Sequence, residues 1–449
     1  MRNKRTVQTS IFEFYPDHQI GHELKAMSQW LDEHLELLDW VAADLQEQGL
    51  EETGRSGMSL DSILRCALLK QYRQLSYDEL AFCLMDSVTC RSFSRLTEGW
   101  TPKKATLQAA ISRLSAATWE RINSRLLQSA RKERMEPGKM LRIDSTVTES
   151  MIHAPTDSSL LWDSVRVLIH LLQQAQALPG APVLSWCNHR RVAKKRMQAM
   201  IYTRGADKKA RLYRDLLAAT YKTLGYIEQA DWALGLSAAG FEQEYVAWQA
   251  QVEHFKPLIH QVIEQTERRI FKGEKVPAKE KIFSLFEAHT DIIIKGRRDI
   301  QYGHKLNVST GRSGLILDVV IEVGNPADSA QFLPMLKRHI EQYGQAPRQL
   351  AADGGYASQE NLQQAKALQV NDVAFHKKRG IKVEAMTKSL WVYRKLRNFR
   401  AGIEAGISCL KRAYGLSRCT WKGWAHFQAY VWSSVVAHNL ALFGRLRAS

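Results

Sequence analysis

The stretch Lys139-Met140-Leu141-Arg142-Ile143-Asp144-Ser145-Thr146-Val147-Thr148-Glu149 follows the turn pair Pro137-Gly138 and mixes apolar and β-branched residues around one carboxylate. That composition predicts a strand, the first in the chain. A second short apolar run, Gln349-Leu350-Ala351-Ala352-Asp353, also stops at an acid and is followed by Gly354-Gly355. Further strand character lies at Asp291 to Ile294, Gln301 to Thr310, Leu315 to Gly324 and Asp372 to His376, with a hairpin turn at Gly311-Arg312-Ser313-Gly314. Helical periodicity separates these runs at 328–343 and 359–368 and returns in a long helix from Leu390 to Tyr414. Strands and helices in this order predict a mixed α/β sheet.

The remainder reads as helical. Leu24, Ser28, Leu31, Leu35, Leu38, Ala42 and Leu45 recur at spacings of four and three, which describes one stripe on a helix, available for packing within its own domain or for self-association. Ser59 caps a helix from Leu60 to Leu75, Ser76 to Glu79 forms a capping box, and Pro102 opens another helix with Lys103 and Lys104 near its start. Short helices with tight turns and exposed cations suit a helix-turn-helix-like unit. Residues 156–285 break into the sheet pattern as a helical block. The expected division is therefore a helical N-terminal domain over 1–136, an α/β domain over 137–155 and 286–428, the insertion at 156–285, and a C-terminal helix at 429–449.

The 449 residues carry 63 Lys and Arg against 46 Asp and Glu, a net charge of +17 that favours a polyanionic partner. Residues 371–449 hold 15 basic and 3 acidic side chains, including Lys377-Lys378-Arg379, and residues 188–214 hold 10 and 1, interleaved with Trp186, Tyr202 and Tyr213 nearby. Either could follow a phosphate backbone. Residues 17–52 have 10 acids against Lys25 alone and would be repelled by nucleic acid. Six scattered Cys make no zinc-ligand spacing and read as free thiols. The start, basic at Arg2, Lys4 and Arg5, leads into no apolar stretch of a secretory signal, and the run Ala429 to Phe443 falls short of the about 20 residues of a membrane span, so the expected location is the cytoplasm.

Carboxylates at the ends of neighbouring strands face the crevice where α/β sheets bind ligands, and Asp144 and Asp353 both fit that position. On the long helix, Arg397, Arg400, Glu404 and Lys411 fall within a roughly 60° arc. One face thus offers a third carboxylate between cations, a set able to hold metal ions with phosphates beside them.

These segments resemble the bacterial insertion-sequence transposases of the DDE kind. Leu141-Arg142-Ile143-Asp144-Ser145-Thr146 looks like that family's first-strand motif, and Leu350-Ala351-Ala352-Asp353-Gly354-Gly355-Tyr356 its second-acid segment. A Tyr-x2-Arg-x3-Glu-x6-Lys signature is met by Arg400, Glu404 and Lys411, with Arg397 in place of the Tyr and Tyr393 one turn earlier. Gly303 to Leu306 and Val323 to Ser329 resemble the family's second strand and the loop after its third. The resemblance implies an RNase H-like catalytic domain in which Asp144, Asp353 and Glu404 are catalytic and bind two Mg²⁺ ions, with Mn²⁺ able to substitute. It implies DNA contacts at Arg397, Arg400, Lys411, His304, Lys305, Lys103 and Lys104. The implied partners are double-stranded DNA, as terminal inverted repeats and target, and a second copy of the chain in a synaptic dimer. An RNase H-like nuclease or resolvase without strand transfer would use the same acids, and a silent DNA-binding derivative would not need them.

Overall fold

The computed structural model describes Lys4 and residues 15–47, 57–96, 99–237, 240–295, 299–377 and 379–448. Arg2, Arg5 and Lys378, singled out above for their charge, lie outside the described residues. The chain divides into two compact units, 1–151 with 303–449, and 152–302.

The predicted sheet is present, in the mixed α/β class expected. Its strands are β1 (Met140–Ser150), β2 (Asp291–Lys295), β3 (Asp299–Thr310), β4 (Ile316–Ile321), β5 (Gln349–Ala352), β6 (Asp372–Phe375) and β7 (Arg418–Cys419). The order is β2-β3-β1-β5-β6, with β4 also on β3 and the short β7 on the far end of β1. β3 runs antiparallel to β1 and β4, whereas β5 and β7 run parallel to β1, and β6 to β5. Parallel neighbours need crossovers, supplied by the helices Asp328–Tyr343 and Gln359–Ala367. The helix Leu390–Ala413 packs across β1, β5 and β6.

Among the described residues seven helices precede β1, and they do not form a body apart from the sheet. Leu24 and Trp30, Leu64 and Leu68, and Trp119 and Leu126 lie in one buried cluster with sheet residues Ile143, Val308 and Leu350 and with Val435, Val436 and Phe443 of the last helix. That helix, Trp424–Ala448, starts before 429 and is buried nearly all round from Phe427 to Gly444, as a helix apolar on every side must be. It packs on the helices Gln19–Glu33, Leu60–Tyr72 and Ala116–Lys132 and on β4. The boundaries at 136 and 429 thus cut through a shared core. Phe427, Tyr430 and Trp432 of the aromatic-rich end are core residues.

Local expectations meet mixed outcomes. Ser76 and Glu79 make the reciprocal capping box. The leucine stripe is split between Gln19–Glu33 and Leu37–Glu47: His34 ends the first helix, Leu35 is exposed, and Leu24, Leu31, Leu38 and Leu45 are buried within the unit. That stripe is therefore consumed by the chain's own core. The helix after Pro102 begins at Lys104, with Lys103 at its N-cap. The helix Leu60–Tyr72 is buried from Leu60 to Gln71 and so cannot enter a DNA groove.

The second unit is built on the helices Asp157–Gln176, Arg190–Tyr202, Ala206–Ser237 and Glu242–Ile270, with its own core of Leu161, Leu168, Leu217, Ile227, Trp248 and Ile259. Tyr213 is buried and Trp186 packs against this core, so of the three aromatics only Tyr202 is exposed. Arg191, Lys194 and Lys195 are exposed. Among the described residues, no helix is long and apolar enough to cross a membrane.

Asn439 ties the first unit together. Its Oδ1 accepts from Ile316 N at 2.9 Å, and its Nδ2 donates to Ile316 O at 2.8 Å and to Asn123 Oδ1 at 2.7 Å. Replacing it leaves buried polar groups unpaired on the sheet and on a second helix. Asn439→Leu should cost about 2–4 kcal/mol in denaturant unfolding of the whole chain, and an unchanged midpoint would contradict this joint.

Candidate functional site

Register places the two aspartates side by side. β1 and β5 pair in parallel with Ile143 opposite Ala352, so the next residue on each strand, Asp144 and Asp353, turns toward the opposite face of the sheet from these buried neighbours. Only Asp353 stands at a strand end. Asp144 is in mid-strand, because β1 continues along β3 to Ser150, where it meets β7. What exposes it to the crevice is the end of β5 beside it.

Two glycines shape the turn after Asp353. A Cβ on Gly354 would come within 2.6 Å of the Lys377 side chain, and one on Gly355 within 2.5 Å of the Asp328 carboxylate. Tyr356 then turns inward, its hydroxyl donating to Asn307 Oδ1 at 2.5 Å, and Asn307 Nδ2 donates to Glu322 Oε1 at 2.6 Å. Burial pushes the Tyr356 phenol far up, with the charges of Asp328, Asp144 and Asp353 adding to the effect, so it stays neutral.

The third carboxylate comes from the long helix, held in place by Arg142. Arg142 Nε donates to Thr310 Oγ1 at 2.6 Å on β3, and Nη1 donates to Phe399 O at 2.8 Å on the helix, with the guanidinium 4.7 Å from the Phe399 ring centroid. Gly402 leaves room for it, since a Cβ there would lie 2.2 Å from Arg142 Nη1. This clamp fixes the helix one residue before Arg400.

Arg400 is where the three acids meet. Its Nη2 donates to Asp144 Oδ2 at 2.7 Å and lies 3.5 Å from Asp353 Oδ1, and its Nη1 donates to Glu404 Oε1 at 2.7 Å. Ser145 N donates to Asp144 Oδ1 at 2.8 Å. The Asp144 and Arg400 side chains are only 12% and 11% exposed, whereas Asp353 and Glu404 are 39% and 61% exposed. The site thus has a dry floor and a wet rim. Burial raises the Asp144 carboxyl above its ordinary range; Arg400 and the Ser145 N–H pull it back, and Asp353 pushes it further up. Burial works against the Arg400 charge, but the three carboxylates together hold its pKa above the usual value.

Arg397 is exposed on the same helix, its guanidinium 5.9 Å from the ring of Tyr393. Tyr393 is buried and donates to Phe375 O at 2.9 Å, a structural tie to β6. Lys411 is half-buried. His304 and Lys305, expected to touch DNA, instead point inward. His304 is 1% exposed, hydrogen-bonded to Glu322 O and packed on Trp424 and Phe427. Lys305 is 5% exposed, with its ammonium on Asp328 at 2.7 Å and on Pro326 O. They are successive residues of β3 and so project to opposite faces of the sheet, where Trp424 and Phe427 cover His304 and the segment from Pro326 to Asp328 receives Lys305. Lys103 is exposed, and Lys104 is paired with Asp78 at 2.5 Å. The clamping residue Arg142 was within the quoted first-strand motif, but a lone cation in a strand gives no sign that it will reach a helix more than 250 positions on.

A hard divalent cation requires oxygen donors carrying net negative charge. Asp144, Asp353 and Glu404 supply both, and around Arg400 they already surround one positive group. Among the described residues no three His, Cys, Asp or Glu side chains are grouped closely enough to hold a metal by themselves; here the guanidinium lies between the acids. The donor set therefore fits such a cation in chemistry, with Arg400 in the shared position.

Residues 288–440 match the family model of the transposase DDE domain. The matched segment contains Asp353, Arg400, Glu404 and Lys411, while Asp144 precedes it on β1. No curated protein and no solved structure matches the chain.

Removing the guanidinium should set the carboxylates against one another. Arg400→Gln should lower stability at neutral pH by about 2–4 kcal/mol. The Asp144 pKa is already raised and rises further without Arg400, so the deficit should shrink as pH falls through the carboxylate range and the acids take up protons. Urea unfolding at a series of pH values reads this, and a deficit independent of pH would contradict the shared-charge site.

Proposed function

We propose, from the match of residues 288–440 to the transposase DDE domain, that the chain cuts and joins phosphodiester bonds of DNA at the ends of an insertion sequence. The observation carrying this reading is the meeting of Asp144, Asp353 and Glu404, from β1, the end of β5 and the long helix, at one guanidinium.

Asp144, Asp353 and Glu404 would hold two Mg²⁺ ions, with Mn²⁺ an acceptable substitute. Bound there, such ions polarise a phosphate and make a water or a DNA 3′-hydroxyl a better nucleophile. The chain's own residues do the positioning. Asp144, on the dry floor, is fixed by Ser145 N–H and Arg400. Arg400 keeps the acids together as their counter-cation, and its planar fork can turn to a phosphate oxygen once divalent charge takes its place. Arg397 and Lys411, on the same face as Glu404, would grip phosphates of the terminal repeat. Lys103, Lys104 and the exposed cations Arg191, Lys194 and Lys195 add sequence-independent affinity for the duplex. Two ends must be brought together before joining, which calls for two copies of the chain.

Asp144→Asn, Asp353→Asn and Glu404→Gln should each lower Mg²⁺-dependent cleavage by about a thousand-fold or more, roughly 4 kcal/mol of barrier, while retaining binding to DNA with the terminal repeats. A strand-transfer assay with the same DNA should give joined product for the unaltered chain. Cleavage without joining would favour a hydrolytic nuclease, and cleavage that survives all three substitutions would remove the acids from the chemistry.

A further inference from the structure

A second chemically competent pair lies outside the carboxylate site. Cys83 is in the last turn of the helix Tyr77–Asp86 and Cys90 in the first turn of the helix Val88–Ser94. Ser87 joins them, its N–H donating to Cys83 O at 2.9 Å and its Oγ accepting from Cys90 N at 3.2 Å. This tight corner brings two thiols seven positions apart face to face, with Cys83 Sγ donating to Cys90 Sγ at 2.8 Å. Both are free and themselves partly exposed, so a small oxidant can reach the corner.

We propose that Cys83 and Cys90 are a redox site that closes to an intrachain disulfide under peroxide. A disulfide has its sulfurs about 2.05 Å apart, so closure from the observed separation needs a movement of less than about 1 Å. Cys90 is the attacking sulfur. The hydrogen bond from Cys83 lowers its pKa against the effect of burial, and the Ser87 hydroxyl and the charge of Arg73 act in the same direction; the Cys83 thiol is correspondingly pushed up. The Cys90 thiolate attacks peroxide, forming an S–O bond and breaking O–O, and the departing hydroxide takes up a proton to become water. Cys83 sulfur then attacks the Cys90 sulfenic acid, S–S forms as S–O breaks, and the second hydroxide leaves with the Cys83 proton as water. Two thiols are oxidised, and one peroxide is reduced to two waters.

The bond would tie the end of one helix to the start of the next across a corner whose inner side chains, Leu80, Leu84 and Phe93, are core residues. The remaining thiols give internal controls: Cys66 is buried, with its thiol pushed up to about 12 by that burial, while Cys187 is exposed. The full chain would be treated with hydrogen peroxide, alkylated and mapped by mass spectrometry. The expected product links the Cys83 and Cys90 peptides, two hydrogens lighter than their sum, before Cys187 is consumed. Cys83→Ser should instead accumulate a Cys90 sulfenic acid trapped by dimedone, and Cys90→Ser should leave Cys83 unmodified. If Cys83 and Cys90 both remain alkylatable after Cys187 has been oxidised, or if Cys83 in the Cys90→Ser chain is trapped as readily as Cys90 in the Cys83→Ser chain, the proposal is overturned.

Discussion

One guanidinium at a sheet crevice has to balance three carboxylates, and much of the surrounding architecture serves that balance. Unscreened, Asp144 and Asp353 on adjacent strands would repel across a partly dry floor, where like charges interact more strongly than in water. Arg400 offsets the repulsion only while its helix stays at a fixed height over β1 and β5. That height is set by Arg142, which reaches from β1 to Thr310 on β3 and to Phe399 on the helix, and by the missing side chain at Gly402. The tie of Tyr393 to Phe375 holds the first turn of the same helix to β6. The acids are thus prearranged by packing, and the charge between them is exchangeable in principle because two of the three stand at a wet rim.

Much of this was legible in the sequence where local chemistry decides the outcome. The strand and turn at Gln349 to Gly355, the Ser76 capping box and the long helix from Leu390 are written in local sequence, and they sit where it predicts. The arc of Arg400, Glu404 and Lys411 follows from helical period alone. Features set by distant partners were not legible. Asp144 reads as a strand end, yet β1 runs six residues further because β3 and β7 pair with it. The family resemblance places His304 and Lys305 on DNA, but Trp424 and Phe427 pack over His304 and Asp328 takes the Lys305 ammonium, so both are buried. The stripe from Leu24 to Leu45 reads as one helix that packs within its domain or on a second copy, whereas a break at His34 splits it between two helices whose buried leucines join a core shared with the last helix.

The same distinction explains the division of the chain. Helical periodicity marks the block between β1 and β2, and the block forms a compact unit with its own core. It gives no indication that the N-terminal helices and the C-terminal helix will share a core with the sheet, since both are amphipathic or apolar enough to pack on any neighbour. The family match, beginning at residue 288, covers the part of the domain after the block, so the first acid is joined to the other two by folding and not by sequence proximity.

The site can be read directly by titrating Mn²⁺ into the full chain and following the free ion by electron paramagnetic resonance. If Asp144, Asp353 and Glu404 frame a cation site that Arg400 otherwise fills, saturable binding should appear in the unaltered chain, vanish in the Asp144→Asn, Asp353→Asn double variant, and tighten by about tenfold in Arg400→Gln, equivalent to roughly 1.4 kcal/mol. Binding that persists undiminished in the double variant would contradict it.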